Sequence, residues 1–203
     1  LVGTSEVPLT AYHMNETLAE GDLPRKCIAL STCFRREAGA AGRDTRGLYR
    51  VHYFDKVEQV IVGPADREES LAFHEEILRN AEEVLAALGL PYRVVNVCTG
   101  DLGLGQAAKF DIETWMPSRG EYCETHSASR FYEFQARRLN IRYRDGQGKL
   151  QFCHTLNNTV IASPRVLIPL LEMNQNGDGS ITVPEVLRPY MRGRERIEQG
   201  GSR

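Results

Sequence analysis

The chain is 203 residues long, 41% hydrophobic and 26% charged, the balance of an ordinary globular protein. Its 25 basic and 27 acidic residues leave a net charge of −2, which excludes a polyelectrolyte drawn as a whole to nucleic acid or to a membrane surface. No apolar run approaches the about 20 residues that cross a bilayer and no signal-peptide pattern opens the chain, so no membrane association is expected and the location is expected to be cytoplasmic.

Leu1, not Met, stands first, so the chain is expected to be part of something longer. Residues 25–34 (RKCIALSTCF) read as a strand entering a core. Residues 35–48 carry three Gly and no apolar period, which predicts a long loop to a second strand over 49–62, rich in β-branched and aromatic residues and antiparallel to the first. A connection that long is commonly functional. Leu71, Leu78, Ala81, Leu85 and Leu88 share one helical face over 68–88, and Gly89 and Pro91 stop that helix. Segments 92–98, 109–115 and 121–127 read as strands and 131–140 as a short helix. Segments 141–145 and 149–156 read as a hairpin around Gly146-Gln147-Gly148. Ser163-Pro164 reads as an N-cap with Pro at the first helical position of a helix to about Met173, which Pro169 should kink at a cost of about 3 kcal/mol. The polar stretch from Arg192 onward should fray. Strands joined mainly by hairpins predict an α+β fold with an antiparallel β-sheet flanked by helices.

Four groups of residues could carry chemistry. If the strands hold their period, Arg35 and Glu37 face one way, and Arg50, Phe54 and Glu58 share a face of the return strand. Arginine forks suit phosphate oxygens, a Phe ring can stack on a base, and the carboxylates can hold a metal ion or an ammonium group. Arg43 and Arg46 make the intervening loop basic, as contact with an RNA end requires. Glu124-Thr125-His126-Ser127 places Glu124 and His126 on one face of a strand, a magnesium site or a general base. Polar Thr155 to Thr159 at a strand end, followed by Arg165 in a helix's first turn, can line a pocket or cap the helix. Residues 174–185 (NQNGDGSITVPE) match a calcium loop in Gly179 and Glu185, but Asn174 stands at the first ligand position and Pro184 at the exit helix, so a Gly-rich turn is expected. The odd set of Cys27, Cys33, Cys98, Cys123 and Cys153 has no C-x-x-C pair, which points to reduced thiols; Cys98 and Cys153 should be buried.

Taken together these stretches resemble the class II aminoacyl-tRNA synthetases, and within them the bacterial-type seryl-tRNA synthetases. FRRE with the loop AGAAGRDTRGLYRVHYF is similar to that family's motif 2, TLNNTVIASPRVLIPLLE to its motif 3, Thr4-Ser5-Glu6 to its serine-recognition T-x-E loop, and VPEVLRPYM to its C-terminal segment. The resemblance covers residues 1–192, read as a partial catalytic domain with 193–203 as a polar tail; the family's N-terminal coiled coil and motif 1 have no counterpart here.

The resemblance implies activation of L-serine by ATP to seryl-adenylate and transfer to the 3′ end of tRNA(Ser), with Arg35 and Arg165 as catalytic arginines. It implies serine binding by Thr4, Ser5, Glu6, Arg35, Glu58, Asn157 and Thr159. ATP would meet Arg35, Arg36, Glu37, Arg50, Val51, Phe54, Glu124, Thr125, His126, Ser127 and Arg165, with Mg²⁺ held by Glu124 and Ser127. Arg43 and Arg46 would touch the tRNA acceptor end. No zinc is expected, because no Cys set matches the archaeal-type site, and the full-length protein should be a homodimer. The alternative is a paralogue that activates an amino acid for another acceptor, or a non-catalytic RNA-binding or regulatory protein.

Overall fold

The structure, a computed structural model, describes residues 1–38 and 47–198. It opens with a short helix, α1 (Glu6–Ala11); of the T-x-E stretch, Thr4 and Ser5 precede the helix and Glu6 is its first residue. Strand β1 (Thr17–Ala19) follows, then β2 (Arg25–Phe34) and β3 (Tyr53–Gly63). These last two pair antiparallel without a break from Arg25↔Val62 to Phe34↔Tyr53. The return strand thus begins at residue 53, not 49, and residues 49–52 belong to the loop that enters it.

Helix α2 (Arg67–Ala87) is capped by Asp66, whose carboxylate accepts a hydrogen bond from the Glu69 N–H. Its buried face is Ser70, His74, Ile77, Ala81 and Leu85, while Leu71 is exposed. The apolar pattern missed this because two of the five are polar and find partners inside. His74 Nε2 donates to the Ala128 carbonyl at 2.9 Å, and Ser70 Oγ lies 2.7 Å from His154 Nδ1. A hydrogen-bonded polar group can be buried at little net cost.

Strands β4 (Tyr92–Asn96), β5 (Ala108–Met116) and β6 (Glu121–Tyr132) come next, then helix α3 (Phe134–Leu139). Strand β4 stops short of Cys98, which is exposed and not buried as expected, while Cys153 is buried and its thiol is pushed up to about 12 by burial. The expected hairpin divides differently. Strands β7 (Arg142–Arg144) and β8 (Leu150–Phe152) form the hairpin, and β9 (His154–Ala162) starts afresh beyond Cys153 in another sheet. Helix α4 (Ser163–Met173) follows β9 directly. Its N-cap is Ala162, with no side-chain cap, so Ser163 does not play that part; Pro164 does stand in the first turn. The helix continues through buried Pro169, which has no N–H to offer the Arg165 carbonyl.

Six strands form the main sheet in the order β2-β3-β9-β6-β5-β4, every neighbouring pair antiparallel. A small sheet, β1-β7-β8, contains one parallel pair, β1 with β7. One face of the main sheet packs on α2: Ile61, Ala128 and Leu156 meet Ile77, and Ile112 meets Ala81 and Leu85. At one end of the other face, Val62 packs with Leu18, Ala136, Ile141 and Tyr143 of the small sheet and α3. Coverage on both faces makes β3 buried from Glu58 onward. The uncovered part of that second face is where the cavity lies.

The calcium-like loop is a turn closed by its own side chains. Asp178 Oδ1 accepts from Ser180, and Asp178 Oδ2 pairs with Arg196 at 2.9 Å. The stretch expected to fray instead returns: β10 (Ile181–Thr182) pairs with β11 (Arg196–Ile197).

Candidate active site

On β3 the alternate residues Phe54, Lys56 and Glu58 point to the uncovered face, while Gln59 points to α2 and donates to the Ile77 carbonyl at 2.8 Å. On the neighbouring β9, Asn157 and Thr159 take the cavity side, and Asn158 turns to Gln59 at 2.9 Å. The run Thr155 to Thr159 therefore lies in mid-strand, not at a strand end, and only its alternate members reach the cavity.

Together these residues line a cavity of about 230 Å³. Its inner end is small and polar. Lys56 Nζ lies 2.5 Å from Glu58 and donates to Thr4 Oγ1 at 2.6 Å, and Thr159 donates to Glu58 at 3.2 Å. Burial pushes Glu58 above the usual carboxylate range, against the pull of Lys56 beside it. Asn157 is 5% exposed, and its Nδ2 has no partner among the described residues. A buried donor left open in this way is suited to a ligand. Glu6, at the start of α1, completes this end. Ser5 does not: it is buried as the N-cap of α1 and is absent from the cavity wall.

The outer end is built from loops. Strand β2 stops at Phe34, so Arg35 and Glu37 are not strand neighbours, and Glu37 adopts a positive φ of 52°. Both nevertheless reach the cavity, as do Arg50 and Val51. Arg50 pairs with Glu37 at 2.7 Å. The Arg35 guanidinium lies over the Phe54 ring at 5.1 Å, and Arg35 Nε donates to the Gly3 carbonyl at 3.1 Å. Arg36 is exposed and outside the cavity wall. Arg43 and Arg46 lie outside the described residues.

A bulge changes the third group. In β6, Glu124 opposes Glu113 and His126 opposes Ile112, so Thr125 is the extra residue. Glu124 and His126 therefore oppose consecutive residues of β5 and do not share a face by simple alternation, as expected from the sequence. The bulge crowds Glu124, Thr125, His126 and Ser127 against the cavity. Thr125 is buried and bonds Thr114 at 2.7 Å and His126 Nδ1 at 2.8 Å. Burial pushes His126 down to about 4, so its ring is neutral at pH 7 and a poor store of charge. Arg165, in the first turn of α4, pairs with Glu124 at 3.3 Å and lies 4.7 Å over the Tyr49 ring.

Sequence reasoning missed seven wall residues: Tyr49, Lys56, Gln106, Ser129, Phe131, Ala162 and Pro164. Lys56 was detectable, since it stands between Phe54 and Glu58 at the same strand period. Tyr49, whose hydroxyl donates to the Glu124 carbonyl at 2.8 Å, and Gln106, which donates to Ser129 at 2.8 Å, carry no local signal.

The family model described as tRNA synthetase class II core domain (G, H, P, S and T) matches residues 1–174. The chain belongs to this class II synthetase core family. A serine–tRNA ligase of Deinococcus radiodurans is 55% identical over 199 residues, 98% of this chain and 47% of the relative. One from Symbiobacterium thermophilum is 55% identical over 200 residues, with 98% and 47% covered. Among solved structures, a seryl-tRNA synthetase from Pyrococcus horikoshii complexed with ATP superposes with a TM-score of 0.92 at 50% identity, covering 97% of this chain and 44% of that one. A cytoplasmic serine–tRNA ligase from Naegleria fowleri in complex with AMP gives 0.93 at 42% identity, covering 99% and 47%. This synthetase core thus spans about half the length of the curated relatives it matches.

Proposed function

We propose that this chain carries the amino-acid-activating centre of a serine–tRNA ligase, with residues 1–192 as part of its catalytic domain. The observation that carries the reading is one cavity joining a small, buried polar end to an arginine-lined outer end. The names of the relatives supply the amino acid and the nucleotide.

L-serine would sit at the inner end, its ammonium group toward Glu6 and Glu58 and its hydroxyl within reach of Asn157 and Thr159. ATP would lie across the outer end with adenine on Phe54, between Arg35 and Arg165 and against Glu37, Arg50 and Val51. A carboxylate oxygen of serine attacks the α-phosphorus, the bond to the β-phosphate oxygen breaks, and pyrophosphate leaves with the electron pair. No protein nucleophile is required. Catalysis then rests on alignment and on fixed positive charge from Arg35 and Arg165. A site built to pair the substrate hydroxyl rejects alanine by about 10⁴-fold, because alanine leaves buried polar groups unpaired.

The described residues contain no group of three or more His, Cys, Asp or Glu that could hold a metal by themselves. Glu124 and Ser127 line the cavity, and Asp111, opposite Ser127, keeps Oδ1 buried and without a partner among the described residues. Carboxylate and hydroxyl oxygens of this kind fit Mg²⁺ once nucleotide phosphates complete the shell. Bound by Glu124 and Ser127, the ion would neutralise phosphate charge. Nothing in this reading calls for zinc. The aminoacyl group would pass to the 3′ end of tRNA(Ser), whose acceptor end would approach over the loop bearing Arg43 and Arg46. Homodimerisation of the full-length protein is favoured by the edge strand β2, which exposes Ile28, Leu30 and Phe34. Among the described residues no helix is long and apolar enough to cross a membrane; the location proposed for the full-length protein, from its likeness to the serine–tRNA ligases, is cytoplasmic.

The test is serine-dependent exchange of pyrophosphate into ATP by the protein that contains this chain, with alanine and threonine as controls. Exchange with serine alone is expected. A folded protein that exchanges with no amino acid would hand the assignment to the non-charging paralogue.

A further inference from the structure

Helix α1 is a weak platform for a recognition residue. It has six residues, and Thr10 is its one buried member. A helix that short does not hold itself in place. Glu6 also acts on Glu58 by charge repulsion, so nothing in the pair favours their convergence while the cavity is empty. Yet Glu6 points into the cavity wall.

The restraint comes from helix α3, on the same face of the sheet as the cavity. Gln135, in the first turn of α3, donates from Nε2 to Glu6 Oε1 at 2.7 Å. Its Oε1 accepts from the Thr155 hydroxyl at 2.6 Å. The direction of this chain is forced. An ionised carboxylate only accepts, so the amide must present its NH₂ to Glu6 and its oxygen to Thr155. Thr155 is fully buried on β9, in the same alternating row as Asn157 and Thr159. Helix α3 is seated by Ala136, also fully buried, in the cluster with Val62 and Ile141. Phe134 beside it packs so closely on Gly105 that a Cβ there would run into the ring. Gln135 thus hangs between two rigid elements and fixes one oxygen of Glu6, leaving the other for a ligand.

We propose that Gln135, oriented by Thr155, is a positioning residue for amino-acid selection: it holds the Glu6 carboxylate in the substrate-binding geometry without touching the substrate. This rests on the function proposed above and names the residue pair on which the amino-acid end depends.

The experiment measures KM for serine and KM for ATP separately, by pyrophosphate exchange, in the full protein and in Gln135→Ala, Thr155→Val and Thr155→Ser. Gln135→Ala should raise KM for serine by about 10- to 100-fold, the cost of losing a hydrogen bond to a charged partner, and leave KM for ATP within about twofold. Thr155→Val should raise KM for serine less, by about fivefold, because the amide keeps its place but loses its orientation. Thr155→Ser keeps the hydroxyl and should restore the parent value. A serine KM unchanged in Gln135→Ala, or KM values for serine and ATP that rise together, would overturn the inference. If Gln135→Ala does not fold, the nearly isosteric Thr155→Val set against Thr155→Ser decides the matter. A parent protein without serine-dependent exchange overturns the proposed function and this inference with it. A parent that exchanges, with an indifferent Gln135→Ala, overturns the inference alone.

Discussion

The two ends of the cavity are built on opposite plans. The inner end stands on β3 and β9, in mid-sheet, where Glu58 is 2% exposed and tied to Lys56 and Thr159, and where the Asn157 amide nitrogen is buried with no partner among the described residues. The outer end, proposed to take the nucleotide, adds to Phe54 of β3 the loop residues Arg35, Glu37 and Arg50 and, in the first turn of α4, Arg165. Telling serine from alanine is a difference of one hydroxyl, which only a buried and prearranged site can weigh. Gripping a triphosphate is a matter of charge in roughly the right place, which long arginine side chains on loops supply.

Substitutions can break that contrast. The largest effect on activity should come from Arg35→Ala, which removes charge from the reacting phosphate and should slow serine-dependent exchange by about 10³-fold with the fold intact. Circular dichroism beside the exchange assay checks both halves, and near-normal exchange would remove Arg35 from the chemistry.

At the inner end the expected damage falls on stability instead. Lys56→Met strands Glu58 in the interior without its cation, at a cost of about 3–5 kcal/mol. Denaturant unfolding measures it. The loss should shrink at lower pH, because protonated Glu58 no longer needs a partner.

A pH titration sharpens the contrast further. His126 is held at about 4 in the folded protein against a usual 6.5. Between those values the unfolded chain binds a proton that the folded one refuses, so stability should fall as pH drops from 6.5 toward 4, by up to about 3 kcal/mol. Buried His74 and His154 are displaced in the same direction and add to the slope. A His126→Gln variant should lose part of that slope, and an unchanged slope would show that His126 takes up its proton while folded.

The smallest effect is expected at Phe54→Ala, which removes the ring that Arg35 covers and on which adenine would stack. KM for ATP should rise by about tenfold, in line with one aromatic stacking contact, with KM for serine little changed. Equal shifts in both constants would mean that Phe54 shapes the whole cavity.

Much of this was legible in the amino-acid order. The β2 and β3 strands, helix α2, the Pro164 start of α4 and the two arginines at positions 35 and 165 all follow from local period, turn residues and motif spacing. Local patterns failed where a strand departs from period two. The extra residue at Thr125 separates Glu124 from His126, and another on β9 lies between Ile161 and Thr159, opposite Val57 and Glu58. No residue type announces such a bulge, since it is a property of two strands aligned.

What the sequence alone determined, then, is which elements form and which charges are available, because helix and strand periods and capping depend on near neighbours. What only the tertiary structure decided is which of those charges meet. Lys56 finds Thr4 from 52 residues away, Thr155 orients Gln135 across 20, and Gln135 reaches Glu6 across 129. Contacts at such separations depend on how strands and helices pack over a shared core, which no window of neighbouring residues contains.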